Sequence, residues 1–385
     1  MRGHIVKRYE NSYSIILNMG RDPATGQRKQ QWVSVKGTKK EAEKRLADLL
    51  HQLDTGTFMQ PSKTTFAEYL TKWLADYAKP NVAPRSFERY TGVIQQHLIP
   101  DLGSLPLTQL RPEHLQSHYT AKLNAGLSAS SIRYHHAVIH IALQTAVKWG
   151  LLGRNVADAV EPPRIHRAEM QTWDEGEVNQ FLEAAKDSPY YALFHTAIYT
   201  GMRRSELLGL RWSDIEFLLP QLSVNRSLHH LKNGSYVFTE PKSDRSRRTI
   251  ALSPSAVLTL QNHHETQKLE RLMLGVELKE NDLVFSRVDG KPLRPNSITR
   301  AWDMMCKRAG VKKIRLHDAR HTHASLMLKQ GIHPKIVQER LGHSSIQITL
   351  DTYSHVAPGL QQAAANRFDE IINPTRENEA VGKVG

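Results

Sequence analysis

Residues 200–215 read TGMRRSELLGLRWSDI and follow directly on a helical run, Ala192–Tyr199. Three more stretches share the same part of the chain: PKSDRSRRTIAL (241–252), LHDARHTHASLMLKQG (316–331) and LGHSSIQITLDTYSHV (341–356). Leu222–Ser227, Val237–Thr239 and Arg248–Leu252 are strand-like, and helices are expected from Pro254 to about Ile372. The spacing predicts a mixed, mainly-α domain over residues 168–373. Residues 374–385 lack apolar periodicity and are expected to form a flexible tail.

Together these four stretches resemble the tyrosine recombinases, also called phage-type integrases. That family's catalytic set runs Arg, Lys, His, Arg, His (or Trp), Tyr along the chain. Arg203 matches the first arginine, after Thr200-Gly201 and before Glu206, and Lys242 matches the lysine of a β-hairpin turn. His317 and Arg320 match the His-x-x-Arg pair, His343 the histidine of Leu-Gly-His, and Tyr353 the nucleophile. Six residues in order, with flanking signatures, are far more specific than any one motif. Two positions depart from the usual pattern. Ala319 stands where many members have Leu, and Tyr353 lies ten residues after His343 where many have nine.

The residue types suit the chemistry the resemblance implies. Two guanidiniums such as Arg203 and Arg320 can each fork onto nonbridging phosphate oxygens, a geometry lysine matches less well. Donors aimed at charge that grows in the transition state usually supply the largest catalytic effect. A phenol with a pKa near 10 must lose its proton as it attacks, so His317 is the candidate base or orienting group. By resemblance, Lys242 protonates the leaving 5′ oxygen and His343 bonds a phosphate oxygen. No metal or other cofactor is implied, because cationic side chains take the metal's place. No energy source is needed, since a 3′-phosphotyrosine stores the bond energy.

Blander readings apply to other residues. His317, His321 and His323 invite a metal site, but on a helix His323 leaves the face shared by the other two. Glu206 is expected to support Arg203 or the fold rather than act as an acid. The adjacent pairs His135-His136 and His263-His264 are expected on solvated faces. Cys306, the single cysteine, is expected in the core; it allows no intramolecular disulfide and no cysteine-based zinc site.

Upstream, Glu161-Pro162-Pro163-Arg164 reads as a linker. Within residues 64–163 the pattern is helical from Thr65 to about Gly153. Phe66, Tyr69, Leu70, Trp73, Leu74 and Tyr77 form one apolar face. A second helix is expected from Ser86, closed by Pro100, with Val93, Ile94, Leu98 and Ile99 in the core. A third opens at Arg111-Pro112-Glu113, and the longest runs from Ser128 to Trp149. Arg85, Arg89 and Arg133 are candidate phosphate contacts. Residues 1–60 read as strands Ile5–Tyr9, Tyr13–Met19 and Gln31–Lys36, then a helix capped by Thr38 with Glu41 and running to about Leu53. Lys7, Arg28, Lys29 and Trp32 are expected on the sheet face that the helix leaves open. Thr55–Thr64 reads as a second linker.

The fold class is therefore multidomain α+β. A small three-stranded sheet plus helix comes first, then an all-α bundle, then the mixed domain. By resemblance these are an arm-type DNA-binding domain (1–60), a SAM-like core-binding domain (64–163) and the catalytic domain. The arm domain favours integration and excision of a mobile element over a Xer-like resolvase. A catalytically degenerate DNA-binding regulator fits less well, because all six residues are present.

Charge agrees with a polyanionic partner. Lys and Arg total 52 against 38 Asp and Glu, a net charge of +14. The excess is +5 over residues 1–60, +4 over 61–166 and +5 in the remainder, so no single tail carries it. The N-terminal MRGHIVKRYE is polar and no run of about 18 apolar residues occurs, which argues against a signal peptide and a membrane span. The implied partners are double-stranded DNA at core and arm sites, a homotetramer on DNA, an excisionase and a host DNA-bending protein. The implied location is the cytoplasm of a bacterial host, at the nucleoid. Residues 357–372 carry Leu360, Ala364, Phe368 and Ile371 at helical spacing, and this helix is expected to dock on a neighbouring protomer.

Overall fold

The computed structural model describes residues 3–21, 26–54, 63–165, 170–240 and 247–353, with isolated positions between 365 and 372. The chain divides into two compact units, Met1–Arg167 and Ala168–Gly385.

In the first unit, β1 (Gly3–Tyr9), β2 (Ser12–Arg21) and β3 (Arg28–Lys36) form an antiparallel sheet in that order. Asn11, at φ 58°, makes the tight turn between β1 and β2. Period-two alternation puts Ile5, Ile15, Leu17, Val33 and Val35 on one face, where they meet Leu46, Leu49, Leu50 and Leu53 of α1 (Lys39–Asp54). Thr38 and Glu41 cap that helix reciprocally. The Thr38 amide donates to Glu41 Oε2 at 2.7 Å and the Glu41 amide to Thr38 Oγ1 at 3.4 Å.

The open face carries Trp32, paired in register with Ile16, and the Arg8 guanidinium lies 5.1 Å from the indole centroid. Lys7 is corrected by the register. It lies opposite Tyr13 and two residues from Ile5, so the pleat turns it to the helix side, although it is exposed. Arg28 and Lys29 belong to β3, and their side chains lie outside the described residues.

The helical part of this unit opens at Thr65, whose hydroxyl accepts from the Glu68 amide while Glu68 accepts from the Thr65 amide. Its first helix proceeds through Phe66–Trp73, a π turn at Leu74–Ala78 and Lys79–Asn81. The second proceeds through Pro84–Val93, a π turn at Ile94–Leu98 and Ile99–Leu102. Pro100 therefore does not close the second helix, which also starts two residues before Ser86. A proline removes one i→i−4 bond and its ring crowds the carbonyl four residues back. The wide turn just before Pro80 and Pro100 absorbs both effects, with Lys79 N–H donating to Leu74 O and Ile99 N–H to Ile94 O. Phe66, Tyr69, Leu70, Trp73, Ile94 and Leu98 are buried against helices Pro112–Asn124 and Ala129–Lys148.

His135 is another correction. It is buried rather than solvated, and its Nδ1 lies 3.3 Å from His118 Nε2, while His118 Nδ1 lies 2.6 Å from Asp101 Oδ2. Asp101 also pairs with Lys122 at 3.0 Å, and the His97 ring lies 4.7 Å from that of His135. The neighbouring His136 turns instead to the Tyr119 hydroxyl at 2.9 Å.

In the second unit, β4 (Ile215–Glu216), β5 (Gln221–Val224) and β8 (Arg248–Ala251) form an antiparallel sheet, and β6 (Ser227–His230) pairs with β7 (Tyr236–Thr239). The expected strand Leu222–Ser227 is thus two strands in different sheets. Helices Glu175–Ala185, Tyr191–Thr200 and Pro295–Ala309 share a core in which the Trp302 ring meets Trp173, Phe181 and Phe194. Cys306 is buried there as a free thiol, and burial pushes its pKa up to about 11. His263 is likewise turned inward, with Nε2 2.8 Å from Val284 O. Among the described residues, no helix is long and apolar enough to cross a membrane.

The His97–His118–His135 cluster has a pH consequence. Burial, and then the surrounding cationic groups, lowers the pKa of His135 to about 4 and lowers those of His118 and His97. The folded state then binds fewer protons than the unfolded state, whose histidines titrate near 6.5. Stability is full above that pH and falls as pH drops from about 6.5 through about 4 for His135, by roughly 1.4 kcal/mol per pH unit, and His118 and His97 act in the same direction. Hydrogen exchange over Ala129–Lys148 should lose protection in that window, and His135→Gln should flatten the loss. Protection independent of pH would contradict the reading.

Candidate active site

The site in the second unit is built where three chain reversals meet. Gly201 ends helix Tyr191–Thr200 at φ 63°, and Arg203 caps helix Arg204–Gly209. Gly342 ends helix Pro334–Leu341 at φ 66°, one residue before His343. His317 precedes helix Asp318–Lys329, and the loop before it is locked by Arg315, whose amide, Nε and Nη2 all donate to Asp318.

Arg320 joins the first two reversals. It is buried, with Nη1 donating to Gly201 O at 2.8 Å and Nη2 to Leu341 O at 2.6 Å. Arg203 reaches the same turn, its Nη2 lying 3.4 Å from Gly342 O. Arg203 Nη1 donates to Glu206 Oε1 at 2.7 Å, and its amide donates to Oε2 at 2.9 Å. Burial alone would raise the Glu206 pKa, but bonds and charge from Arg248 and Arg203 outweigh it and hold the carboxyl at about 2. Glu206 therefore supports an arginine and is no proton donor near neutrality.

The histidines are held neutral. Burial, then Arg320 and Arg203, lowers the His343 pKa to about 3, and its Nδ1 lies 2.8 Å from Thr349 Oγ1. Surrounding protein and then the Arg320 charge lower that of His317, whose ring nevertheless opens to solvent. The His321 ring meets His317 edge-on at 5.3 Å, and burial lowers its pKa to about 4. His323 points elsewhere, accepting from Arg340 Nε at 3.0 Å. Among the described residues, no three His, Cys, Asp or Glu side chains are grouped to hold a metal ion.

Of the six sequence candidates, the structure brings Arg203, His317, Arg320 and His343 into one cluster. Lys242 lies outside the described residues. Tyr353 is the last residue of helix Ile346–Tyr353, and its side chain lies outside them too. Arg85, Arg89 and Arg133 are exposed in the first unit. Arg89 stacks 4.0 Å over the Tyr134 ring, and Arg133 Nη1 lies 3.4 Å from Pro163 O. Sequence reasoning missed Arg248, Arg340 and Thr349. Arg248 did carry a signal: it stands two residues before buried Ile250, so strand alternation turns it inward.

Comparison with known proteins gives the family. A family model described as "Phage integrase family" matches residues 171–359, and one described as "Phage integrase, N-terminal SAM-like domain" matches residues 65–123. An integrase of Streptomyces ambofaciens is 30% identical over 364 residues, covering 90% of each chain. The chain belongs to the phage integrase family. The ICEBs1 integrase of Bacillus subtilis is 28% identical over 370 residues, covering 95% of this chain and all of that one. A lambda integrase tetramer bound to a Holliday junction shares the fold, with a TM-score of 0.57 and 19% identity over 92% of this chain and 94% of that one. This integrase is a site-specific tyrosine recombinase of a mobile element, an enzyme that cleaves and rejoins DNA.

Gly201 leaves no room for a side chain in the integrase's turn. Besides its positive φ, a Cβ there would lie 2.6 Å from Leu341 Cδ2 and 2.9 Å from His323 Cδ2. Gly201→Ala should cost about 1–3 kcal/mol of stability. It should also slow DNA cleavage, because the Gly201 carbonyl holds Arg320. Unchanged melting and cleavage would contradict this.

Proposed function

We propose that this integrase inserts and excises its element by attack of Tyr353 on the scissile phosphate. The phenol oxygen bonds phosphorus and gives up its proton, with His317 as the acceptor. The bond to the 5′ oxygen breaks, and that oxygen takes a proton from Lys242. A 3′-phosphotyrosine and a free 5′ hydroxyl result, and a hydroxyl from the partner strand reverses the step. Exchange of one strand pair gives a Holliday junction, and the second pair resolves it.

The observation that carries this reading is the convergence of Arg203 and Arg320 on the turn Leu341–Gly342, directly before His343. Two guanidiniums set side by side can fork onto the two nonbridging oxygens as charge builds there. The neutral His343, bonded through Nδ1 to Thr349, turns Nε2 to a phosphate oxygen. Thr349 is four residues before Tyr353 on one helix, so a single element carries both the nucleophile and the His343 partner.

The other modules fit the same reading. Residues 1–60 bind arm-type DNA, using the face that bears Trp32 and Arg8. Residues 64–163 bind core DNA, with Arg85, Arg89 and Arg133 on phosphates. Residues 168–373 are the catalytic domain. Four protomers act together on two sites, as four copies of lambda integrase do on a Holliday junction. An excisionase and a host bending protein set direction, and the reaction takes place at the bacterial nucleoid. The docking segment 357–372 falls mostly outside the described residues.

Tyr353→Phe should abolish covalent protein–DNA adducts on a nicked core-site substrate while leaving DNA affinity within about threefold, a tolerance of well under 1 kcal/mol. Adducts that persist would overturn the nucleophile assignment. Lys242→Ala should slow cleavage by about 10²–10⁴-fold, the usual contribution of a general acid. A 5′-bridging phosphorothiolate, whose leaving group needs no proton, should restore it. Failure of that rescue would remove Lys242 from the acid role.

A further inference from the structure

Arg248 opens β8, immediately after the segment that contains Lys242, and its side chain is only 6% exposed. Its Nη2 donates to Glu206 Oε2 at 2.8 Å, its Nη1 to Oε1 at 3.3 Å and its Nε to Arg340 O at 2.7 Å. Glu206 already accepts from Arg203 through both oxygens. One buried carboxylate thus serves two guanidiniums. A second feature makes room for this arrangement: a Cβ on Gly342 would lie 3.0 Å from Arg248 Cδ and 3.1 Å from Nη1.

We propose that Arg248 is a positioning residue for strand cleavage: by sharing Glu206, it stops Arg203 from closing a bidentate pair with that carboxylate and leaves the Arg203 charge to the scissile phosphate. Arginine and carboxylate prefer two parallel N–H···O bonds, which direct both donors of one edge at the same partner. Arg203 instead gives Glu206 one guanidinium nitrogen, Nη1, while its Nη2 faces Gly342 O. Two positive charges against one negative leave a net positive charge where the phosphate is proposed to lie. Without Arg248 the Arg203–Glu206 pair would be neutral overall. Arg248 also joins the start of β8 to Arg340, three residues before His343.

This rests on Arg203 being a phosphate-binding arginine, and Arg203→Ala tests that separately. The experiment is single-turnover cleavage of a nicked oligonucleotide that bears the element's core site, with the full-length integrase. R248M should cleave about 100-fold more slowly, comparable to loss of one oxyanion donor, with DNA affinity within about threefold. R248M/E206Q should regain about tenfold over R248M, because a neutral amide no longer holds Arg203. A purely structural arginine gives no such recovery. R248K keeps a cation in the core and should be slowed by about tenfold; R248K/E206Q carries the same comparison if R248M does not fold. Wild-type cleavage by R248M or R248K, or a double variant no faster than its parent, would overturn the proposal. Arg203→Ala inactive beside a normal R248M would sink this inference alone, whereas an active Arg203→Ala would sink the reading beneath it.

Discussion

A carboxylate with almost no exposure, Glu206, stays ionised because two guanidiniums surround it, and the site's geometry follows from that constraint. An isolated charge at such a depth would be protonated or expelled. Here it fixes Arg203 at the start of one helix and Arg248 at the start of β8. Arg248 in turn reaches the carbonyl of Arg340, and Arg320 ties Gly201 to Leu341. Four segments far apart in sequence are thereby clamped to within a few ångströms before any substrate binds. Preorganisation of this kind lets donors act on transition-state charge without reorganising at the moment of reaction.

The concentration of cations also explains the histidines. Burial disfavours the imidazolium form, and Arg203 and Arg320 disfavour it further at His343 and His317. Neutral imidazole can accept a proton or donate a single hydrogen bond, whereas imidazolium can only donate. The arginines that suit a phosphate thus keep His317 able to accept the phenol proton in the proposed step.

Much of this was legible in the chain. The ordered motifs pointed to the family, and the amphipathic run from Phe66 to Tyr77, with the capping pair Thr38 and Glu41, placed elements accurately. What escaped depended on tertiary context. Pro100 looks like a helix end unless the wide turn ahead of it is known, and no local signal marks a π turn. Lys7 falls on the helix side because its side depends on pairing register, which a strand's own sequence does not contain. His135 looked solvated because its partners, His118 and Asp101, come from other helices. Arg248 stands in a run of basic residues, and only its alternation with Ile250 marks it as inward. Burying arginine makes sense only beside Glu206, 42 residues earlier in the chain.

The central claim is that Glu206 is an ionised carboxylate shared by Arg203 and Arg248. It is tested most directly by following the Glu206 side-chain carboxyl by ¹³C NMR from pH 7 to 4, assigned by comparison with Glu206→Gln. The account predicts that this carbon keeps the chemical shift of a carboxylate across the whole range. A titration midpoint inside it would show that the guanidiniums do not hold the charge, and would contradict the account.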